Sequence, residues 1–489
     1  MLRMTGTTLV LAFLVAVMGC TGGPVSTSSA SIARGGSNPS GYPSSPGAVA
    51  VNPARETLRI GGQRRFSGWD STVGQYDVTW SLQEGAAAGT ITTDGVYTAP
   101  LIPGTFHLIA TSSHNASLSA TAQVTIVSVG FAAVSGMAVP RSGHTATLLA
   151  DGRVLVAGGT TDTTHSADLF DPNSSSFVPT TGGMLSTRTG HCAVLLPNGR
   201  VLIVGGGDSS GTLFKTAEIF DPATGTFTAT GDLNQVREGA TATPLTNGKI
   251  LIAGGQDSGG ALLSSAELYD PSTGSFTLNG NMHIARAQHT ATLLSDGKVL
   301  LVGSISPTGS AEIFDPASGH FSTTGSLVQA RAHHTATLLP NGKVLVAGGT
   351  QIAPPGGGGA PPAPVSLDTV EIYDPGTGIF QTAGKLVAAR DSHSATLLPN
   401  GKVLLAGGYT HDFDGDAQPE WYTMFTAEMF DPATSVSTVA ASLEADRAEH
   451  VATTLNNGQV LITGGITGFS CCSFKPYSGV SISSAELYE

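Results

Sequence analysis

The sequence predicts an all-β protein whose main part is a β-propeller of seven blades. A phrase that opens with Arg and runs on to a Gly-Gly pair recurs seven times, at intervals of 45 to 59 residues, with Ser304 in place of the second Gly in the fourth copy. Each copy consists of short apolar runs separated by turn residues, which is a strand pattern. A repeat of this length is typical of propellers and solenoids. The opening residues are Arg141, Arg188, Arg237, Arg286, Arg331, Arg390 and Arg447.

The first copy shows the four strands expected in each blade. An alternating run over 144–149 meets an apolar run over 154–157 across Asp151-Gly152. Asp-Gly between two such runs is a strong hairpin signal, because both turn residues must tolerate positive φ. A third strand over 167–170 ends at Asp-Pro, and a short fourth strand carries Phe177. Four antiparallel strands without a helix form one propeller blade.

The two ends of the repeat region predict how the ring closes. The seventh copy ends over 485–489 and lacks a fourth strand, whereas residues 130–137 look like a fourth strand that precedes the first copy. We therefore expect this N-terminal strand to complete the last blade. Such closure leaves no open sheet edge at the seam.

These motifs resemble Kelch repeats of the bacterial, galactose-oxidase-like type. The resemblance rests on the Gly-Gly after the second strand, the Asp-Pro after the third and the aromatic residue on the fourth, and it covers residues 130–489. It implies the propeller fold. It says little about function, because propellers host unrelated chemistries.

The N-terminus has the pattern of an export signal. Arg3 precedes a short apolar run over 9–17, and the following Met-Gly-Cys resembles a bacterial lipobox that would place a lipid on Cys20. An ordinary signal peptide with a chance Cys is the alternative. We expect a signal peptide over 1–19 and a flexible Ser/Gly/Pro tether over 20–48. The predicted location is the bacterial outer membrane or cell surface.

Residues 49–128 predict a second, smaller all-β domain. Strand-like runs surround Trp80, and an Asp94-Gly95 turn joins two of them. The pattern resembles a bacterial Ig-like β-sandwich with Trp80 in its core, without the Cys pair of antibody domains. We expect this domain to act as a spacer between the membrane and the propeller.

Composition excludes several partners. Only 12% of the residues are charged and the net charge is −13, so the chain lacks the basic footprint that nucleic acids require. The same negative charge disfavours direct adhesion to anionic lipid. We expect a monomer that meets a membrane only through its N-terminal lipid.

Residues that recur in every copy have two interpretations. Six of the seven copies carry a His three residues after the Arg, and these imidazoles either line the channel and bind a metal or hydrogen-bond the blades together. We favour the structural role, and we expect the repeated Glu to pair with the repeated Arg. The histidines are His144, His191, His289, His334, His393 and His450, with Ala240 in the third copy.

Three late insertions mark the predicted binding face. They span 351–365, 411–425 and 466–480, between the second and third strands of consecutive copies. Long loops on a rigid scaffold often carry binding sites, although neutral growth of the loops is the alternative. The predicted ligand-binding residues are Tyr409, Trp421, Tyr422, Phe469, Phe474, Lys475 and Tyr477.

Two further features fall in these insertions. Asp412, Asp414 and Asp416 alternate beside a Gly, as at the start of a calcium loop, but the Gly is displaced and the twelfth-position ligand is missing; a solvated acidic turn is the alternative. Cys471 and Cys472 are adjacent and can form a vicinal disulfide, remain free or pair between molecules.

The function that follows is binding of a glycan or a protein ligand on the inserted face, without a required cofactor. The alternative is a galactose-oxidase-like copper enzyme on the same face, an activity that only the resemblance implies. Its ligands would come from Tyr409, Tyr422, Tyr477 and one of Cys471 and Cys472, and none of these lies in a recognisable motif. We regard copper as the less favoured cofactor.

Overall fold

The computed structural model describes residues 48–127, 129–159, 165–305, 309–352, 364–412, 420–468 and 479–489. Within these ranges the regular structure is almost entirely strand, and the one helix is a 3-10 turn over Gly85–Ala88. That turn is too short to cross a membrane, and the described ranges contain no longer apolar helix. The predicted all-β class is confirmed. The predicted signal peptide, Cys20 and all but the last residue of the predicted tether lie outside the described residues.

The N-terminal β-domain contains nine strands arranged in three small sheets. Phe66, Tyr97 and Leu108 lie at its core, almost without solvent exposure. Trp80 is half-buried and packs edge-on against Phe66, so it covers the core rather than filling it. The strands are β1 (Val49–Asn52), β2 (Arg55–Arg59), β3 (Gln63–Arg65), β4 (Ser67–Asp70), β5 (Val78–Leu82), β6 (Thr90–Ile91), β7 (Val96–Thr98), β8 (Gly104–Ser112) and β9 (Ser119–Val127). The sheet orders are β1-β4, β2-β9-β8-β5 and β3-β7-β6.

The repeat region begins with β10 (Phe131–Val134) and continues through antiparallel four-stranded sheets, which we number in chain order. Sheet one contains β11 (Thr145–Leu148), β12 (Val154–Ala157), β13 (Ala167–Asp171) and β14 (Ser176–Pro179). Sheet two contains β15 (Cys192–Leu195), β16 (Val201–Val204), β17 (Ala217–Asp221) and β18 (Thr226–Ala229). Sheet three contains β19 (Thr241–Pro244), β20 (Ile250–Ala253), β21 (Ser265–Asp270) and β22 (Ser275–Asn281). Sheet four contains β23 (Thr290–Leu293), β24 (Val299–Val302), β25 (Ala311–Asp315) and β26 (His320–Thr323).

The last three sheets each carry an extra two-stranded hairpin between their second and third strands. Sheet five contains β27 (Thr335–Leu338), β28 (Val344–Ala347), the hairpin β29 (Thr350–Ile352) with β30 (Pro364–Ser366), then β31 (Thr369–Asp374) and β32 (Ile379–Lys385). Sheet six contains β33 (Ser394–Leu397), β34 (Val403–Ala406), the hairpin β35 (Tyr409–Asp412) with β36 (Glu420–Thr423), then β37 (Ala427–Asp431) and β38 (Val436–Val439). Sheet seven contains β39 (Val451–Thr454), β40 (Val460–Thr463), the hairpin β41 (Ile466–Thr467) with β42 (Val480–Ser481), then β43 (Ala485–Tyr488). We call these pairs hairpins five, six and seven.

Apolar packing between neighbouring sheets joins them into a ring. The second strand of each sheet is buried along its whole length, which explains its continuous apolar sequence. One apolar cluster lies between each sheet and the next. A further cluster joins Val154 and Phe170 of sheet one to Leu461 and Leu487 of sheet seven. The ring is therefore closed.

Sheet seven is built from both ends of the repeat region. β10 pairs antiparallel with β43, from Phe131 opposite Tyr488 to Val134 opposite Ala485. The two rings at the start of this register lie 5.0 Å apart. The N-terminal strand thus supplies the outer strand that the seventh copy lacks, as its sequence predicted.

Buried arginines anchor the loop that enters each sheet. Arg188, 1% exposed, donates through one terminal nitrogen to the carbonyls of Gly205 and Thr216 and forms an ion pair with Glu218. The Glu218 carboxylate also accepts the backbone N–H of Leu185 in the incoming loop, at 2.7 Å. Because both charges are buried, each satisfies the other's hydrogen-bonding need. The seven pairs are Arg141–Asp168, Arg188–Glu218, Arg237–Glu267, Arg286–Glu312, Arg331–Glu371, Arg390–Glu428 and Arg447–Glu486, at 2.5 to 3.1 Å.

The repeated histidines connect adjacent sheets. His191 of sheet two places its Nε2 2.9 Å from the hydroxyl of Thr145 in the first strand of sheet one. Equivalent contacts join Thr241 to His289, Thr290 to His334, Thr335 to His393 and Ser394 to His450, at 2.8 to 3.1 Å. Burial lowers the pKa of His191 to about 3, so the ring is neutral at pH 7. The structural interpretation of these histidines is confirmed.

Two exceptions show how this connection is lost or replaced. In sheet three, Ala240 replaces the His. In sheet two, Cys192 occupies the position at which the other sheets carry the partner hydroxyl, and its sulfur lies 3.1 Å from the Ala240 carbonyl. Where Val451 removes the hydroxyl in sheet seven, its cross-strand neighbour Thr463 supplies one, 2.9 Å from His144. Cys192 is therefore a partly buried residue whose thiol contacts a backbone carbonyl where the other sheets have an imidazole.

Sheet six lacks one aromatic contact that the other sheets keep. In sheet one, Phe170 on the third strand packs against Phe177 on the fourth, with ring centroids 5.0 Å apart. In sheet six, Phe430 faces Ser437 instead, and the Ser437 hydroxyl is buried without a hydrogen-bond partner. Burying an unpaired hydroxyl costs free energy, so this position is suboptimal.

We expect Ser437→Phe to raise the free energy of unfolding by about 1 kcal/mol, because it restores the aromatic pair and removes the unpaired hydroxyl. Urea unfolding followed by tryptophan fluorescence measures the change. Thr438→Phe, at the exposed neighbouring position, is the control. Its free energy of unfolding should stay within about 0.5 kcal/mol of the wild-type value. A lower midpoint for Ser437→Phe would show that no space for the ring exists there.

We expect the free energy of unfolding to fall as the pH drops from about 6.5 toward 3. Burial lowers the pKa of His144, His191, His289, His334 and His450 to about 3, and that of His393 falls well below its usual value. Between these limits the unfolded chain binds protons that the folded chain excludes, so stability present above pH 6.5 is lost on acidification. Each histidine contributes up to about 1.4 kcal/mol per pH unit.

The measurement is urea unfolding at several pH values for the wild type and His289→Gln, which retains a hydrogen-bonding side chain toward Thr241. The variant should show a shallower pH dependence, and His320→Gln, at an exposed position, should match the wild type. Identical slopes for all three proteins would contradict the assignment.

Candidate functional site

The inner ends of the first strands form a ring of seven residues, which we call the mouth. Each mouth residue immediately precedes the repeated His, or Ala240 in sheet three, and each has a left-handed backbone, with φ between 50° and 63°. Backbone hydrogen bonds connect successive members, as from Gly239 N–H to the Gly190 carbonyl and from Ser392 N–H to the His333 carbonyl. The mouth residues are Gly143, Gly190, Gly239, Gln288, His333, Ser392 and Glu449.

The mouth is chemically asymmetric. Glycine, which adopts positive φ without strain, occupies the first three positions. The four consecutive positions that follow carry polar side chains in the same backbone conformation, which non-glycine residues adopt rarely. Gln288 and Glu449 are exposed, whereas His333 and Ser392 are half-buried. Strained polar residues of this kind concentrate at functional sites, so the mouth in sheets four to seven is a candidate site.

Two acidic side chains, Glu449 and Asp391, lie in or beside this half of the mouth. Glu449 is open to solvent but closely surrounded by protein atoms, and this partial desolvation, together with the nearby charge of Asp391, raises its pKa above the usual value. Asp391 itself is 2% exposed and accepts hydrogen bonds from the hydroxyls of Ser366, at 2.7 Å, and Ser392, at 3.1 Å. This part of the mouth therefore has one exposed carboxylate, Glu449, and a second, buried carboxylate, Asp391, beside it.

The bases of the three hairpins lie next to this half of the mouth. Ser366 places hairpin five on Asp391, and Asp391 exchanges backbone hydrogen bonds with Tyr409 of hairpin six. Asp446 connects hairpin six to hairpin seven. Its carboxylate accepts hydrogen bonds from Thr423 of hairpin six and, at 3.0 Å, from Thr467 of hairpin seven. Two carboxylates thus hold three consecutive hairpins together on the face that carries the mouth.

The structure describes the side chains of only two of the predicted ligand-binding residues, Tyr409 and Tyr422. Tyr409 is 5% exposed and supports the base of hairpin six, whereas Tyr422 is half-buried farther along β36, opposite Thr410. Trp421 pairs with His411 through the backbone of the same hairpin, and Asp412 pairs with Glu420. The side chains of Trp421 and Asp412 are outside the described part of the structure, as are Phe469, Phe474, Lys475, Tyr477, Asp414, Asp416, Cys471 and Cys472.

The mouth residues escaped the sequence prediction, although a signal for them exists. The position before the repeated His is Gly in the first three copies and polar in the last four. That change coincides with the region of the insertions, and only the ring brings the four positions together. Asp391, the next residue back in copy six, was missed for the same reason.

The described residues form no cluster of the common metal-binding side chains. In the ranges given above, no three His, Cys, Asp or Glu side chains converge in an arrangement that could hold a metal ion. The repeated histidines each contact a hydroxyl of a neighbouring sheet, and Tyr409 is buried at the base of a hairpin.

Comparison with known proteins supports the fold. Residues 143–349 match the model of the KLHDC2/KLHL20/DRC7 Kelch-repeats domain. A structure titled as a novel fungal alcohol oxidase of the AA5 family, in complex with copper, superposes with a TM-score of 0.57 and 19% sequence identity over 74% of this chain and 76% of that one. The YjhT structure gives a TM-score of 0.48 and 14% identity over 63% of this chain and 99% of that one.

No curated protein matches the sequence significantly. The Kelch-repeat match, the AA5 superposition and the ring of four-stranded sheets agree with one another. At 19% identity the AA5 structure shows the fold alone. The repeat region of this chain has the fold of a Kelch-type β-propeller.

Proposed function

We propose that this protein is a binding protein whose hairpin-bearing face, together with the polar half of the mouth, holds a ligand. The observation that carries the proposal is the joining of three consecutive hairpins through Asp391 and Asp446, directly beside four strained polar residues. Rigid scaffolds that present long loops on one face commonly bind there. The repeated Arg, Glu and His residues instead stabilise the ring through the ion pairs and hydrogen bonds described above.

A protein ligand has the best support. Kelch propellers generally serve as interaction scaffolds, and residues 143–349 match a Kelch-repeat domain. The acidic character around Glu449 and Asp391 favours a ligand segment with basic or hydrogen-bond-donating groups. Aromatic residues at Trp421 and Tyr422 suit the centre of such an interface. A glycan, which aromatic rings also recognise, is the alternative outcome of the binding test.

We further propose the molecular context that the sequence predicts. Residues 1–19 are a signal peptide, Cys20 carries a lipid, residues 20–48 form a tether, residues 49–128 are an Ig-like domain and residues 130–489 are a seven-bladed propeller. The protein is then exported, monomeric and attached to the outer membrane or cell surface. Calcium binding at Asp412, Asp414 and Asp416 and a disulfide between Cys471 and Cys472 remain predictions.

We expect the Trp421→Ala, Tyr422→Ala double variant to weaken ligand binding roughly thirtyfold in Kd, because aromatic residues at the centre of an interface contribute about 2 kcal/mol or more. The ligand is first identified by a glycan array and by affinity capture of proteins, and its Kd is then measured by calorimetry. Leu185→Ala is the matched control, since Leu185 is an exposed apolar residue on the loop entering sheet two, far around the ring.

Unchanged affinity in the aromatic double variant, with unfolding midpoints equal to the wild type, would remove hairpin six from the site. One tightly bound copper per purified chain, together with substrate-dependent peroxide release, would instead favour the oxidase alternative. Both measurements use the same preparation.

A further inference from the structure

The N-terminal β-domain packs directly on sheets six and seven of the ring. The carbonyl of Thr57 in β2 accepts the N–H of Ser442 at 2.8 Å, and the Ser442 hydroxyl donates to Glu56 at 2.5 Å. Arg59 forms an ion pair with Glu489 at 2.7 Å. Ser442 follows the outer strand of sheet six, and Glu489 follows β43 of sheet seven. The domain therefore spans the boundary between the two sheets that carry hairpins six and seven.

Arg64 of β3 contacts Phe425, which lies two residues after hairpin six. Its guanidinium carbon lies 3.2 Å from the ring centroid of Phe425, and its Nε lies 3.2 Å from Glu56. The Arg64 side chain is only 14% exposed. A cation over an aromatic face is attracted by the ring quadrupole, and the attraction is stronger when water is excluded.

Phe425 lies at the base of hairpin six. It follows the end of β36 by two residues, and its carbonyl accepts the N–H of Leu443 at 2.8 Å. The preceding residue, Met424, donates its N–H to Gly408, at the start of the same hairpin, also at 2.8 Å. A side chain that holds the Phe425 ring therefore restrains both ends of the hairpin.

The charges around Arg64 connect it to hairpin seven as well. The carboxylates of Glu56, Asp446, Glu444 and Glu486 act on its guanidinium and oppose the effect of burial, which lowers its pKa. Asp446 is the carboxylate that Thr423 and Thr467 share. Removing Arg64 would take one cation of the N-terminal β-domain away from these negative charges and leave Arg59, which also acts on Glu444.

We propose that Arg64 is a positioning residue for the binding face: through Phe425 and the surrounding carboxylates, the N-terminal β-domain holds hairpin six in place. This role extends the spacer function that the sequence predicted for the domain. Its consequence for ligand affinity rests on the proposed function, but its effect on the hairpin does not.

Hydrogen–deuterium exchange of the purified full chain tests the proposal without any ligand. In Arg64→Ala, the backbone amides of residues 420–425 should exchange about tenfold faster than in the wild type, because the restraint on the base of hairpin six is lost. The amides of sheets one to three should be unchanged. Arg65→Ala is the matched control, since Arg65 is exposed on the same strand and its partner, Asp94, belongs to its own domain.

Phe425→Leu is the second variant. It keeps an apolar side chain but removes the aromatic face, and it should reproduce the faster exchange over 420–425 even if Arg64→Ala does not fold. Arg64→Lys, which retains the cation, should restore most of the protection. Unchanged exchange over 420–425 in Phe425→Leu, or equal acceleration across all seven sheets, would overturn the proposal. Faster exchange with unaltered ligand affinity would contradict only the proposed binding role of hairpin six.

Discussion

The seam between sheet one and sheet seven is the constraint on which the rest of the repeat region depends. Each sheet buries apolar surface against two neighbours, so the ring has no stable open end. Sheet seven has four strands only because β10 pairs with β43. This pairing brings residues more than 350 positions apart into register. The position of the N-terminal β-domain follows from this pairing, since β9 ends only four residues before β10 begins.

Around this seam, the polar residues of the repeat have mostly structural roles. The buried Arg–carboxylate pairs secure the loop that enters each sheet, and the histidines connect each sheet to the one before it. The exceptions support this interpretation. Cys192 and Ala240 depart from the pattern together, and Thr463 supplies the hydroxyl that Val451 lacks. Such compensation is expected when a buried polar group must have a partner.

Positions where the repeat changes are candidates for function, because the ring does not require them. Gln288, His333, Ser392 and Glu449 accept a strained backbone where the other copies use Gly. Hairpins five, six and seven are fastened beside these residues by Asp391 and Asp446. The contact between Arg64 and Phe425 adds the N-terminal β-domain to the same assembly. Direct contacts thus connect the three hairpins, the ring and the N-terminal β-domain.

The sequence by itself determined the strands, their turns, the closure by β10 and the pairing of the repeated Arg with Glu, because each follows from local periodicity, turn chemistry or the copy number of a motif. It also located the three insertions. Only the tertiary structure decided that Tyr409 is buried, that the mouth residues meet and that Arg64 reaches Phe425. Those contacts join residues from different sheets or domains, and their geometry depends on how the ring closes, which no local pattern records.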